Sequence, residues 1–144
     1  MPPTDDETSC RNGEIFFQLK GWARSLGNGR VTESSGGFVL PNGARLSPDA
    51  AWTSHERRRR KPYCPEFVVE LVSPTDRRNK VRAKMLEWIS NGADLGWMID
   101  PRDQSVTIYL PDCEAEVRTG ISEIAGEGPV AGFVLDLEPV WRPL

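Results

Sequence analysis

Two carboxylate residues, Asp49 and Glu70, occupy positions from which this sequence could bind a divalent cation. Glu70 lies inside the apolar run at residues 67–72, where a glutamate is rarely buried unless a partner compensates its charge. Asp49 follows Pro48 at the start of another extended segment. If the two segments are neighbours, the carboxylates converge on one hard cation. Oxygen ligands without His or Cys favour Mg²⁺ or Mn²⁺, and such a metal can activate water.

Two lysines after Glu70 are candidates for stabilising the negative charge that develops when a phosphodiester is attacked. On a helical wheel, Lys84 lies at the border of the apolar stripe, between Val81 and Trp88. Lys80 falls one step further toward solvent and is the substitute candidate. Together with Arg77, the lysines predict a basic helix edge that contacts backbone phosphates of a nucleic acid.

Each assignment has a structural alternative. Asp49 can cap a turn, Glu70 can face water from an edge strand, and Lys84 can be a solvated residue on a helix flank. The single histidine, His55, gives no support for a Ser-His-Asp catalytic triad or a Cys-His catalytic dyad. The three cysteines form no CxxC pair, so the sequence indicates neither a disulfide framework nor a zinc site.

The order of the secondary-structure patterns predicts an α/β fold with a mixed central sheet flanked by helices. Residues 1–10 are polar and predict a flexible N-terminus, and residues 11–144 predict a single domain. The predicted elements are a helix at residues 12–26, a hairpin of strands at 30–32 and 37–40, a strand that begins near Asp49, a covered strand at 67–72, a helix that ends at Asn91 and Gly92, and a second hairpin at 95–99 and 106–110. Short strands near 115–117 and 133–135 follow in an acidic tail.

Charge is unevenly distributed along the chain, although the net charge is only −3. Residues 56–84 contain ten Lys or Arg and four Asp or Glu, a local charge of +6 that could face phosphates or form a solvated loop. No apolar stretch is long enough to cross a bilayer and no signal segment is apparent, which predicts a cytoplasmic protein without a membrane partner. Five tryptophans are typical of core and interface positions, and a shared aromatic surface would favour a homodimer.

Two stretches resemble the Uma2 family of restriction endonuclease-like proteins: SPDAAW, and PEFVVELVSPTDRRNKVRAKMLEWISNGADLGWMIDP with the VTIYL that follows. The resemblance implies a restriction endonuclease-like fold of the PD-(D/E)XK nuclease superfamily, with DNA as the partner. It places the motif's Pro-Asp on Pro48 and Asp49 and its acidic residue on Glu70. It also implies that the main-chain carbonyl of Leu71 completes the metal coordination.

One position departs from the superfamily motif, because Val72 occupies the place where a lysine is expected. The resemblance implies that a lysine from the following helix takes over, and the family's lysine aligns with Lys84. The sequence therefore predicts an Mg²⁺-dependent DNA endonuclease. The alternative, suggested by Val72 and the net acidity, is a catalytically weak or inactive module of the same fold that binds DNA or another protein.

Overall fold

The computed structural model describes residues 5–144 as a sheet with helices on both faces. The helices are α1 (Asp6–Leu26), α2 (Arg78–Ser90) and α3 (Glu138–Trp141). The strands are β1 (Gly29–Glu33), β2 (Phe38–Val39), β3 (Arg45–Leu46), β4 (Ala50–Ser54), β5 (Phe67–Leu71), β6 (Leu95–Asp100), β7 (Ser105–Tyr109), β8 (Glu116–Thr119), β9 (Glu123–Ala125) and β10 (Val134–Asp136). Within these residues no helix is both long and apolar enough to cross a membrane.

Six strands form the central sheet in the order β1-β4-β5-β6-β7-β8. Strands β5 and β6 are parallel, and α2 supplies the crossover between them, whereas the other neighbouring pairs are antiparallel. Two smaller pairs, β2 with β3 and β9 with β10, lie outside this sheet. The predicted α/β fold with a mixed central sheet is therefore confirmed.

The central strand β5 is buried along its whole length and separates two cores. Its odd-numbered side chains, such as Val69, join the core formed with α1 and the C-terminal segment. Val68 and the adjoining Val72 join the other core, which contains Trp88 of α2. Because side chains alternate along a strand, Glu70 points to the face covered by α2.

Helix α1 begins at Asp6, which is earlier than predicted. The carboxylate of Asp5 accepts hydrogen bonds from the Thr8 backbone N–H at 2.8 Å and from the Thr8 hydroxyl at 2.7 Å. This cap provides an acceptor for a free N–H group of the first turn. The negative charges of Asp6 and Glu7 interact favourably with the positive end of the helix dipole. The prediction of a flexible N-terminus is therefore wrong for residues 6–10, and residues 1–4 lie outside the described part of the chain.

The first predicted hairpin is also wrong, because β1 pairs with β4 and β2 pairs with β3. Phe38 of β2 packs edge-to-face on Trp88 of α2, with ring centroids 6.3 Å apart, so the chain leaves the central sheet after β1. The second hairpin, β6 with β7, is confirmed, as is α2. The tail contains the predicted short strands as β8 and β10, together with β9 and α3, which were not predicted.

Candidate active site

The register between β4 and β5 places Asp49 opposite Glu70. Ala51 pairs with Val68 and Ala50 with Val69, so the next pair along the two chains is Asp49 with Glu70. Directly opposed residues have Cβ atoms about 5 Å apart on the same face of the sheet. The two carboxylates therefore share the face that α2 covers.

The main chain of Leu71 lies at the same place. Its N–H donates to Oδ2 of Asp49 at 2.7 Å. The register places Pro48 opposite Leu71, and a proline has no N–H that could pair with the Leu71 carbonyl. Because N–H and C=O of one strand residue point to the same side, this carbonyl is directed toward the Asp49 edge of β5.

Glu70 is held by two side chains of α2. Its Oε2 accepts a hydrogen bond from Nε1 of Trp88 at 2.8 Å and lies 3.0 Å from Nζ of Lys84. Lys84 also donates to the carbonyl of Ser47 at 2.7 Å. Residues four apart lie on the same helix face, so Trp88 and Lys84 reach one carboxylate together. The lysine ties α2 to β5, which carries Glu70, and to the segment before β4, which carries Asp49.

Burial dominates the protonation of both carboxylates. It raises the pKa of Glu70 to about 7, with Asp49 adding to the rise and Lys84 and Trp88 opposing it. Burial also raises the pKa of Asp49, against the Leu71 N–H and the charge of Lys84. Two carboxylates in one desolvated place ionise together only when more positive charge is present. A bound cation could supply that charge.

The donor set fits a hard divalent cation. Oδ1 of Asp49 and Oε1 of Glu70 accept no hydrogen bond from residues 5–144, which leaves one oxygen on each for a ligand. With the Leu71 carbonyl they form an oxygen-only set of the kind that Mg²⁺ and Mn²⁺ prefer. Within the same residues no group of three or more His, Cys, Asp or Glu side chains could hold a metal. A cation here would therefore need the main-chain oxygen and water as well.

The predicted phosphate contacts, Arg77 and Lys80, lie at the start of α2 and are exposed. They border an open depression of about 710 Å³ whose lining is Arg77, Arg78, Asn79, Lys80 and Arg82. Lys84 is one helical turn beyond Lys80, and it is the lysine that reaches Glu70. The structure thus brings Asp49, Glu70 and Lys84 together and leaves Arg77 and Lys80 on the neighbouring surface.

An ion cluster around Asp100, next to this surface, was missed by sequence reasoning, because an Asp before Pro101 is typical of a turn. The N–H of Arg102 does donate to Oδ1 of Asp100 at 3.0 Å, as a turn opener requires. Asp100 is nevertheless fully buried, and its Oδ2 pairs with Arg102 at 3.0 Å and with Arg78 at 3.3 Å. Arg78 also pairs with Asp103 at 2.7 Å. The cluster holds the start of α2 against the β6–β7 hairpin.

Trp88 was also missed as a functional residue, because its spacing predicts only a core position. We expect Trp88→Phe to lower the free energy of unfolding by about 2 kcal/mol, since a buried carboxylate loses a donor. Trp52→Phe is a matched control that loses a 3.1 Å bond to the neutral Asn28 amide, and we expect it to cost about 1 kcal/mol or less. Chemical denaturation at neutral pH measures the free energy of unfolding of both variants. Equal losses would show that the bond from Trp88 to the carboxylate stabilises the fold no more than a bond to a neutral amide.

The raised pKa of Glu70 predicts that the metal-free protein loses stability as pH rises from about 4.5 to about 7. The folded chain retains this proton to higher pH than the unfolded chain. The free energy of unfolding therefore falls by roughly 2 to 3 kcal/mol between these two pH values. Glu70→Gln removes the titration. Chemical denaturation over this pH range should therefore show that the free energy of unfolding of the variant rises relative to that of the parent as pH rises. A difference that stays constant with pH would refute the prediction.

Comparison with known proteins gives one family and one fold. A family model described as "Uma2: Putative restriction endonuclease" matches residues 1–138. The fold is similar to a crystal structure described as a putative nuclease belonging to DUF820 from Anabaena variabilis, with a TM-score of 0.85 and 19% sequence identity. The similarity covers 97% of this chain and 83% of that one. No curated protein is significantly similar in sequence.

Proposed function

This chain belongs to the Uma2 family of restriction endonuclease-like proteins, and on that basis we propose that it is a metal-dependent DNA endonuclease. One observation carries the proposal: a buried glutamate, Glu70, lies opposite Asp49 in the sheet and receives Lys84 from α2. A structural core has no need of two carboxylates and a lysine in one place, because burying charges costs free energy. Such a cluster is typical of a site that binds and converts a charged ligand.

Asp49, Glu70 and the Leu71 carbonyl would hold Mg²⁺ or Mn²⁺. The metal, when bound, supplies Lewis-acid stabilisation of the attacked phosphate and lowers the pKa of bound water. Lys84 has three N–H donors, of which Glu70 and Ser47 take two. Its side chain is 32% exposed, so the third donor can reach a phosphate oxygen and offset the charge that develops there.

Arg77 and Lys80 would bind backbone phosphates beside the scissile bond. Both are exposed at the start of the helix that carries Lys84, where Arg77 is the N-cap residue and Lys80 lies in the first turn. Phosphate contacts position a DNA strand without reading its sequence. Because each phosphate contact releases counterions from the DNA, binding through this local surface should weaken as salt is raised.

A plasmid-cleavage assay tests the proposal. Supercoiled DNA should be nicked or linearised with Mg²⁺ or Mn²⁺, remain intact with EDTA, and remain intact with the Asp49→Asn variant. An RNA of the same sequence, assayed in parallel, tests the choice of DNA. If no form of DNA is cut with either metal, the endonuclease proposal fails.

A second candidate function is favoured by Val72, which leaves the superfamily's usual lysine position without an ammonium group. In this case the chain binds DNA or a protein without cutting. DNA binding would then be the same with metal and with EDTA, and Asp49→Asn would bind like the parent.

A homodimer and a cytoplasmic location also remain predictions. The tryptophans give the homodimer no support, because four are buried. The fifth, Trp22, is half-buried and packs against Trp52 and Phe133.

A further inference from the structure

A cavity of about 420 Å³ lies between β2 and the segment at residues 61–63. Its lining is Gly37, Phe38, Val39, Lys61, Pro62 and Tyr63. The rings of Phe38 and Tyr63 meet edge-to-face with centroids 6.1 Å apart, which leaves aromatic surface at the wall. The volume is within the range of sites that hold small organic groups. The wall is mainly apolar and aromatic, with one cation.

Three of the five cations at residues 57–61 are free to bind a ligand. Arg57, the first of the run, is fixed, because its guanidinium donates to the carbonyls of Cys64 at 3.1 Å and Gly92 at 2.9 Å. Arg60 pairs with Glu56 at the surface. The other three cations form no ion pair or side-chain hydrogen bond with residues 5–144, and they are Arg58, Arg59 and Lys61.

The cavity is connected to the candidate active site through one side chain. Phe38 packs on Trp88 with ring centroids 6.3 Å apart and planes at 82°. Trp88 in turn donates to Glu70. The cavity and the carboxylates thus lie on the same face of the sheet and are linked by the packed side chains of Phe38 and Trp88.

We propose that this cavity binds one nucleobase of the DNA strand that is cut, an inference that rests on the proposed endonuclease function. The base stacks on Tyr63, and its flanking phosphates face Arg58, Arg59 and Lys61. Aromatic rings beside a basic groove are the combination that binds single-stranded nucleic acid. An apolar peptide would leave the unpaired cations without a role. Since a base must leave the helix to enter a cavity, unpaired or gapped DNA is the preferred substrate.

The test measures binding of a short labelled single-stranded DNA by fluorescence anisotropy, with the full chain in EDTA so that no cleavage occurs. Tyr63→Leu keeps an apolar side chain and removes the ring, and it should weaken binding about tenfold. Phe17→Leu is the matched control, because Phe17 is 71% exposed on α1, which covers the opposite face of the sheet. It should bind like the parent. Unfolding midpoints confirm that both variants fold.

A second arm uses the same strand without bases, an abasic deoxyribose-phosphate chain. Parent and Tyr63→Leu should bind this probe equally, since the ring then has nothing to stack on. Lys61→Ala, an exposed position, should weaken binding of both probes and reduce the salt slope by about one.

Any one of three results would overturn the inference. Tyr63→Leu could bind the intact strand as tightly as the parent, or Phe17→Leu could lose as much affinity for that strand as Tyr63→Leu. In the third case, Tyr63→Leu would lose affinity for the abasic strand by the same factor as for the intact strand. If the parent still cuts plasmid DNA in a metal-dependent reaction, only the nucleobase site falls. If the parent neither binds nor cuts DNA, the endonuclease proposal falls with it.

Discussion

Glu70→Gln is expected to reduce the rate of DNA cleavage on the order of a thousandfold while the protein remains folded. Glutamine has nearly the same shape as glutamate, and its amide oxygen can still accept the bonds from Trp88 and Lys84. The change removes the negative charge that would bind the cation opposite Asp49. We therefore expect a much higher Mn²⁺ concentration for half-maximal activity as well as a lower maximal rate.

Single-turnover cleavage at saturating DNA, measured over a Mn²⁺ titration, separates these two effects. Glu66→Gln is the matched control, because Glu66 is also a buried glutamate, and its carboxylate accepts the Ser54 N–H at 2.9 Å. It precedes β5, whereas Glu70 lies near the end of that strand. Cleavage by Glu66→Gln should stay within about twofold of the parent. Equal losses in both variants would show a general response to a lost buried carboxylate and would refute the metal site.

The candidate site was predictable from the sequence mainly through Glu70, which contradicts its local pattern. Glu70 interrupts an apolar run, and a buried charge demands a partner wherever the strand is placed. Lys84 follows from helical periodicity once α2 is recognised, since residues three and four apart share a face. Asp49 carries the weakest local signal. Its pairing with Glu70 depends on the β4–β5 register, which the sequence alone does not determine.

Two of the features that sequence reasoning missed depend on contacts between distant segments, and a third depends on a local helix cap. Arg57 belongs to a basic run, for which the sequence alone allows a solvated loop. Its guanidinium nevertheless binds carbonyls up to 35 residues away in the chain. The strands β1 and β2 are neighbours in sequence and were predicted to pair, yet Phe38 of β2 packs on Trp88 of α2, which is distant in sequence. The start of α1 was missed because its first turn has no apolar periodicity, and the cap at Asp5 decides it instead.

Lys84→Ala is expected to lower the maximal cleavage rate about a hundredfold, through loss of a charge that stabilises the attacked phosphate. Its effect on the metal should be opposite to that of Glu70→Gln. The ammonium lies 3.0 Å from Oε2 of Glu70, so its removal takes away a positive charge that would repel a cation bound to the two carboxylates. The Mn²⁺ concentration for half-maximal activity should therefore stay the same or fall.

Lys80→Ala provides the comparison that separates catalysis from DNA binding. Lys80 is exposed one turn before Lys84, so we expect the variant to raise the DNA concentration needed for half-maximal rate and to lower the salt slope by about one. Its rate at saturating DNA should change little. If Lys80→Ala lost more of that rate than Lys84→Ala, Lys80 would be the catalytic lysine and Lys84 the lysine that binds DNA. If Lys84 only stabilised Glu70 in the fold, Lys84→Ala would instead weaken metal binding together with the rate, because a destabilised carboxylate cannot hold the cation.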